Sequence, residues 1–191
     1  METSKTLAVD TLQRVLMPKK GEPHDVRMLY LIEQEHNKQR LRWSDRTSFE
    51  VPAGNEVSFE TYFNAFPASY WRRWSQLDSV VLSMEVEGRA TISVYRSKHD
   101  GTRVSVTNVE ATGSIEIPLK LSNFEDGGWL WFDVTAEDDT RIADAAWCSP
   151  QEPKEQVLDD GTVVPPQPKQ VAVGIPTFNR PRDAVNALRA L

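Results

Sequence analysis

One cysteine, Cys148, stands in a chain of 191 residues. That excludes an internal disulfide and any CxxC-type metal site. The three histidines, His24, His36 and His99, are far apart among polar neighbours, and ordinary surface histidines rather than metal ligands are expected. No block of Lys or Arg occurs, and the net charge is −6, so a nucleic acid held through its phosphates is not expected. No run approaches the ~18 apolar residues of a bilayer-spanning helix. The first twenty residues lack the basic segment followed by an apolar core that marks a secretory leader. The simplest compartment is therefore the reducing cytoplasm, with peripheral attachment through other parts of a longer protein left open. Against these absences, 39% of residues are hydrophobic and 26% charged, with six Trp, four Tyr and seven Phe. Such a chain holds enough apolar surface for one sizeable domain or a domain plus a fragment, and global disorder is not expected.

Apolar residues alternate with polar ones through most of residues 1–148. Val80, Leu82, Met84 and Val86 share one face, as do Ala90, Ile92 and Val94, then Ile115, Ile117, Leu119 and Leu121, then Leu130, Phe132 and Val134. Period-two runs of this length predict half-buried antiparallel strands at 80–87, 90–96, 103–109, 114–121 and 129–134. Glycines at 88, 101, 113 and 127–128 mark the expected turns between them, and Asp100-Gly101 predicts a hairpin. Further strands are expected at 26–32, 48–51 and 57–62, while 7–16 fits either a strand or a short helix. The fold class is thus mainly β: an antiparallel sandwich, jelly roll or barrel.

Residues 149–169 hold five of the 12 prolines and read as an extended linker. The composition then changes. Residues 171–175, VAVGI, predict a strand buried on both faces of a parallel sheet. A loop follows at 176–180, and Pro181 opens a helix with Ala184, Val185, Leu188 and Leu191 on one face. One β-loop-α unit cannot make a sheet, so the chain is expected to be an N-terminal piece of a larger protein. Alone, this tail is expected to be poorly ordered or docked on the β domain, because both edges of its strand are open.

Several groups of residues carry possible chemistry. A loop between a strand and a helix N-terminus is where open α/β sheets bind nucleotides. There Arg180 suits a phosphate or uracil carbonyl and Phe178 a wall of the base site, although the same loop occurs in any α/β protein. Asp138-Asp139 and Asp159-Asp160 are acidic pairs, but neither ends an α/β strand, and solvated loop charges are expected. Seven aromatics crowd residues 59–74: Phe59, Tyr62, Phe63, Phe66, Tyr70, Trp71 and Trp74. Core filling plus a contact to another domain or subunit explains most of them, and a sugar-stacking platform is the sharper alternative. Arg72 and Arg73 lie among them, suited to carboxylates or ring faces. Trp129 and Trp131 share the face opposite Leu130 and Phe132, open to burial against another domain or to a sugar patch.

Four strings carry a family resemblance: IPTFNRP at 175–181, FNAFPASYWRRW at 63–74, FEDGGWLWFD at 124–133 and GEPHDVRMLY at 21–30. The first resembles the opening loop of inverting GT-A glycosyltransferases that use UDP-sugars. The other three resemble the N-terminal β domain of the polymerising galactofuranosyltransferases of mycobacteria and relatives. The resemblance implies a β domain at 1–148, a linker at 149–169 and the truncated start of a GT-A domain at 170–191. It implies transfer of galactofuranose from UDP-galactofuranose to a lipid-linked galactan of cell-wall arabinogalactan, on the inner face of the membrane. It also implies a Mg²⁺ or Mn²⁺ ion, a homotetramer, and Pro176, Thr177, Phe178 and Arg180 as the nucleotide-contacting residues. In such proteins the metal motif and the catalytic base lie later than residue 191, so no catalytic or metal residue is expected here and the chain alone is expected to be inactive. A non-catalytic carbohydrate-binding or oligomerisation module is the alternative.

Overall fold

The longest alternating stretches form the longest strands, and these are fewer and longer than the glycines suggest. The computed structural model describes residues 10–43, 45–75, 77–122, 124 and 128–150, Val185, and the backbone at 156–157 and 163–164. In chain order the elements are β1 (Asp10–Arg14), α1 (His24–Arg27), β2 (Ile32–Glu33), β3 (Arg42–Trp43), β4 (Ser48–Val51), β5 (Glu56–Ser58) and α2 (Ala68–Trp74). Then come β6 (Ser79–Ser97), β7 (Arg103–Lys120), β8 (Leu130–Ala136) and β9 (Thr140–Ser149). All nine strands join one antiparallel sheet along the path β2-β5-β8-β6-β9-β4-β3, with β1 on β9 and β7 on β6.

Two expected turns are continuous strand instead, and the two strands share one bulge there. β6 runs straight through Gly88, and β7 through Gly113. Val86 pairs with Gly113 and Ala90 with Ala111, so β6 carries two extra residues at the irregularity. The spacing from Val86 to Ala90 is even, and Val80, Leu82, Met84, Val86, Ala90, Ile92 and Val94 all face one core. The bulge also changes the neighbour of β6. Before it, residues 81–87 pair with β9; after it, residues 90–96 pair with β8. The short connection between β8 and β9 fits into this corner, where the Arg89 carbonyl accepts from Glu137 N–H at 2.9 Å and from Thr140 Oγ1 at 2.9 Å. A strand that changes partner at a bulge lets one sheet curl around its own core.

Other expectations shift locally. The strand expected at 26–32 is a short helix, α1, opened by Pro23, with only Ile32–Glu33 extended; proline suits a helix start and cannot serve a strand ladder. The strand expected at 57–62 ends at Ser58, and the Thr61 N–H turns back onto the Phe59 carbonyl at 2.8 Å. Within 7–16, residues 10–14 are a strand. The strand expected at 48–51 forms as β4.

The core is filled by Phe49, Phe59, Phe66, Phe132 and Trp147 with the aliphatic rows of β6 and β8. Each such side chain contributes roughly 1.5–3 kcal/mol on burial. A smaller cluster of Val81, Ala146 and Cys148 lies apart from that core. The chain divides into two units, Met1–Glu152 and Pro153–Leu191. In the second, the backbones of β10 (Gln156–Val157) and β11 (Val163–Val164) pair antiparallel.

Candidate functional site

Because side chains alternate, the residues between Leu130, Phe132 and Val134 leave the core on the other face of β8. These are Trp131 and Asp133. Across β6 their partners are Tyr95 and Ser93, and Arg103 sits opposite Ser97 at the start of β7. The Arg103 guanidinium lies 3.5 Å from the Tyr95 ring centroid and 5.8 Å from that of Trp131. The two rings are themselves stacked, with centroids 6.1 Å apart. Arg103 Nη2 donates to Asp133 Oδ2, and Nη1 lies 4.0 Å from Glu60 Oε2.

This arrangement buries polar groups outside the main core. Trp131 is 1% exposed and Asp133 2%, yet Trp131 takes no place in the core cluster. Among the described residues, Trp131 Nε1 and Asp133 Oδ1 are buried with no hydrogen-bond partner. Burial raises the Glu60 carboxyl pKa; Arg103 opposes the rise and Asp133 adds to it.

Beside the cluster an open groove of about 260 Å³ is lined by Glu60, Tyr62, Ser97, Trp129 and Trp131. Ser97 clamps the Trp129 backbone: its Oγ accepts from Trp129 N–H at 3.0 Å, and its N–H donates to the Trp129 carbonyl at 3.0 Å. The Trp129 side chain is held half-exposed, at 48%, and Tyr62 is almost fully exposed. The groove thus offers the exposed ring faces of Tyr62 and Trp129 next to the Glu60 carboxylate and the Ser97 backbone. That combination matches ligands with an apolar face and a hydroxyl edge.

Alternation alone places Trp129 and Trp131 on the face opposite Leu130 and Phe132, and the structure does the same. Trp131, however, is buried by Arg103 and Tyr95 of its own unit. Tyr95, Arg103, Asp133 and Glu60 escaped sequence reasoning. The only available hint was Asp133, two residues after Trp131 in an alternating strand and therefore on the same face.

The nucleotide-contacting candidates Pro176, Thr177, Phe178 and Arg180 lie outside the described residues, as do Asp159 and Asp160. Asp138 accepts from Arg89 Nε at 2.8 Å and Nη2 at 3.0 Å, while Asp139 Oδ1 accepts from the Ala53 N–H at 2.9 Å. Both carboxylates hold the corner of the sheet. His36 Nε2 lies 3.7 Å from Glu56 Oε2. Among the described residues, no three His, Cys, Asp or Glu side chains converge on a cation-sized site.

The aromatic-rich segment divides by depth. Phe59 and Phe66 are buried in the core, and Trp71 of α2 stacks on Phe66 at 5.9 Å. Phe63 stacks on Tyr30 at 5.0 Å. Tyr62, Tyr70 and Trp74 stay exposed. Core filling therefore accounts for one part of the segment and leaves the other facing outward.

Comparison with known proteins covers the whole chain. It is 48% identical over 197 aligned residues to galactofuranosyltransferase GlfT2 of Mycolicibacterium smegmatis, covering 100% of this chain and 29% of that protein. It is 46% identical over 191 residues to galactofuranosyltransferase GlfT2 of Mycobacterium tuberculosis, covering 97% of this chain and 28% of that protein. The chain thus spans under a third of the length of these curated relatives. Among solved structures, a family 29 carbohydrate-binding module overlaps 72% of this chain and 86% of its own, with a TM-score of 0.38 and 12% identity. The family model described as galactofuranosyltransferase 2 N-terminal matches residues 12–150, from within β1 to the end of β9, and the chain belongs to that family.

Proposed function

We propose that this chain is the N-terminal, non-catalytic portion of a galactofuranosyltransferase. The whole enzyme moves galactofuranose from UDP-galactofuranose to a growing lipid-linked galactan of cell-wall arabinogalactan. It works as a homotetramer, peripherally on the cytoplasmic face of the membrane. In this reading residues 1–148 are a β-sandwich or barrel domain, 149–169 a linker, and 170–191 the first β-loop-α unit of a GT-A domain. Pro176, Thr177, Phe178 and Arg180 then contact the uridine diphosphate. The observation that carries the reading is the 46–48% identity to two galactofuranosyltransferases across essentially the whole chain, tail included.

Inverting transfer needs a carboxylate to take the acceptor proton and, in this family, a divalent cation to stabilise the leaving diphosphate. The described residues do not fit such a cation, since Asp138 and Asp139 are committed to Arg89 and to the Ala53 N–H. Base and cation ligands are therefore assigned to other parts of the longer protein.

The test is transfer by the longer protein from UDP-galactofuranose to a short galactofuranosyl acceptor. Transfer is expected, with Arg180→Ala raising the donor KM by about tenfold or more through loss of a charge-assisted contact. The 191-residue chain alone is expected to give none. An inactive longer protein, or turnover by this chain alone, overturns the reading.

A further inference from the structure

We propose that the groove between Tyr62, Trp129 and Trp131 binds a stretch of saccharide chain, with a sugar ring lying on the half-exposed Trp129 indole. Three observations converge on it. Ser97 fixes the Trp129 backbone from both sides at 3.0 Å, which holds a large apolar ring in water where packing alone would bury it. Directly behind it, Trp131 Nε1 and Asp133 Oδ1 are buried without hydrogen-bond partners among the described residues. A protein seldom leaves a buried donor and a buried acceptor unpaired unless something else pairs them. Arg103, whose side chain is 41% exposed, donates to the other Asp133 carboxylate oxygen and leaves Oδ1 without a partner.

The chemistry selects the ligand class. Two carboxylates, Glu60 and Asp133, face a single guanidinium, Arg103, which disfavours phosphate and nucleotide. At about 260 Å³ the groove is smaller than the roughly 300–1,000 Å³ of sites for larger ligands. Its walls are ring faces and its rim is polar, the complement of a sugar with C–H bonds on one face and hydroxyls around its edge. The identity of that sugar, galactofuranose, rests on the function proposed above; the groove itself does not.

The experiment titrates the 191-residue chain with a galactofuranose hexasaccharide and, in parallel, with a β-linked glucose hexasaccharide, following tryptophan fluorescence and heat. The variants are Trp129→Ala and Tyr62→Ala, both at exposed side chains, with urea unfolding to show that each remains folded. Saturable binding of the galactofuranose oligomer, weakened about tenfold in Trp129→Ala, is expected. No saturable response, or equal affinity in the folded Trp129→Ala variant, overturns the proposal. Binding of the glucose oligomer alone overturns the galactofuranose assignment. Self-association lost in Trp129→Ala, with no sugar response in either protein, makes the groove a protein interface and also overturns it. UDP-galactofuranose turnover by the longer protein is measured separately. A sugar-binding chain in an inactive protein and a non-binding chain in an active enzyme are thereby told apart.

Discussion

The indole N–H of Trp147 donates to the backbone carbonyl of Asn64 at 3.1 Å inside the core. The Asn64 side chain extends the same network outward. Its Oδ1 accepts from the Leu16 N–H at 2.7 Å, and its Nδ2 donates to the carbonyls of Leu16 and Tyr30 at 2.7 and 2.6 Å. One fully buried amide thus ties the chain after β1 and the turn after α1 to the aromatic segment above β9. Asn64→Ala strands two backbone groups, the Leu16 N–H and the Leu16 carbonyl, while the Tyr30 carbonyl keeps the Thr61 hydroxyl at 2.9 Å. Each orphaned group costs about 1–3 kcal/mol, so a loss of roughly 3 kcal/mol is expected. Urea unfolding checks this, and a loss below about 1 kcal/mol would show that water replaces the amide.

Two arginine–aspartate pairs of similar composition should differ sharply. Arg103 pairs with Asp133, which is 2% exposed, whereas Arg89 pairs with the solvent-facing Asp138. Arg103→Ala leaves a carboxylate buried and unpaired, which costs about 3–5 kcal/mol. Arg89→Ala leaves one in water, and a far smaller change is expected. Thermal unfolding of the two variants side by side decides the matter; equal losses would mean that Asp133 is hydrated in solution.

The strands were legible from alternation because burial of one face leaves its record in consecutive residues. Leu82, Met84, Ile92 and Phe132 could be placed inward from their own segments alone. The corner was not legible, since Glu87-Gly88 reads as a turn just as well as a bulge. The difference lies in the pairing of Arg89 with Glu137 and Thr140, about fifty residues away. The groove was half legible for the same reason. Trp129 and Trp131 lie two apart on one strand, but Arg103, Tyr95 and Glu60 reach them from three other places in the chain. The short helix α1 was missed because Val26, Met28 and Tyr30 alternate as in a strand, while Pro23 starts a helix.

The corner gives a comparison between two glycines with positive φ. At Gly88 (φ +110°) an added Cβ would stand 2.9 Å from Thr140 Oγ1 and 3.0 Å from the Asp139 carbonyl oxygen. At Gly113 (φ +73°) it would meet nothing within 4 Å. Gly113→Ala is expected to cost about 1 kcal/mol, the conformational term alone. Gly88→Ala adds a clash with backbone and is expected to cost roughly 2–4 kcal/mol and to loosen amide protection at 137–140. Equal costs, read by denaturant unfolding and hydrogen exchange, would show that the bulge relaxes freely.

The carboxylates give the last expectation, in the pH dependence of stability. Hydrogen bonds from Thr47 lower the pKa of Asp45, those from Thr102 lower that of Asp100, and Arg89 lowers that of Asp138, each from an ordinary 3.8. These groups stabilise the fold above that value, and their contribution is lost as pH falls through the lowered folded values. Glu60 has the opposite sign. Its folded pKa is raised above 4.5 by burial, so the folded state binds its proton more tightly than the unfolded state. Stability from this group therefore falls as pH rises from 4.5 through the folded value, and ionised Glu60 is a net cost at pH 7. Glu60→Gln is expected to unfold at a slightly higher urea concentration than the parent chain at pH 7, by less than about 1 kcal/mol after solvent screening, with the difference vanishing near pH 4. Lower stability of Glu60→Gln at pH 7 would mean that the attraction between Glu60 and Arg103, 4.0 Å apart, outweighs the burial of the carboxylate.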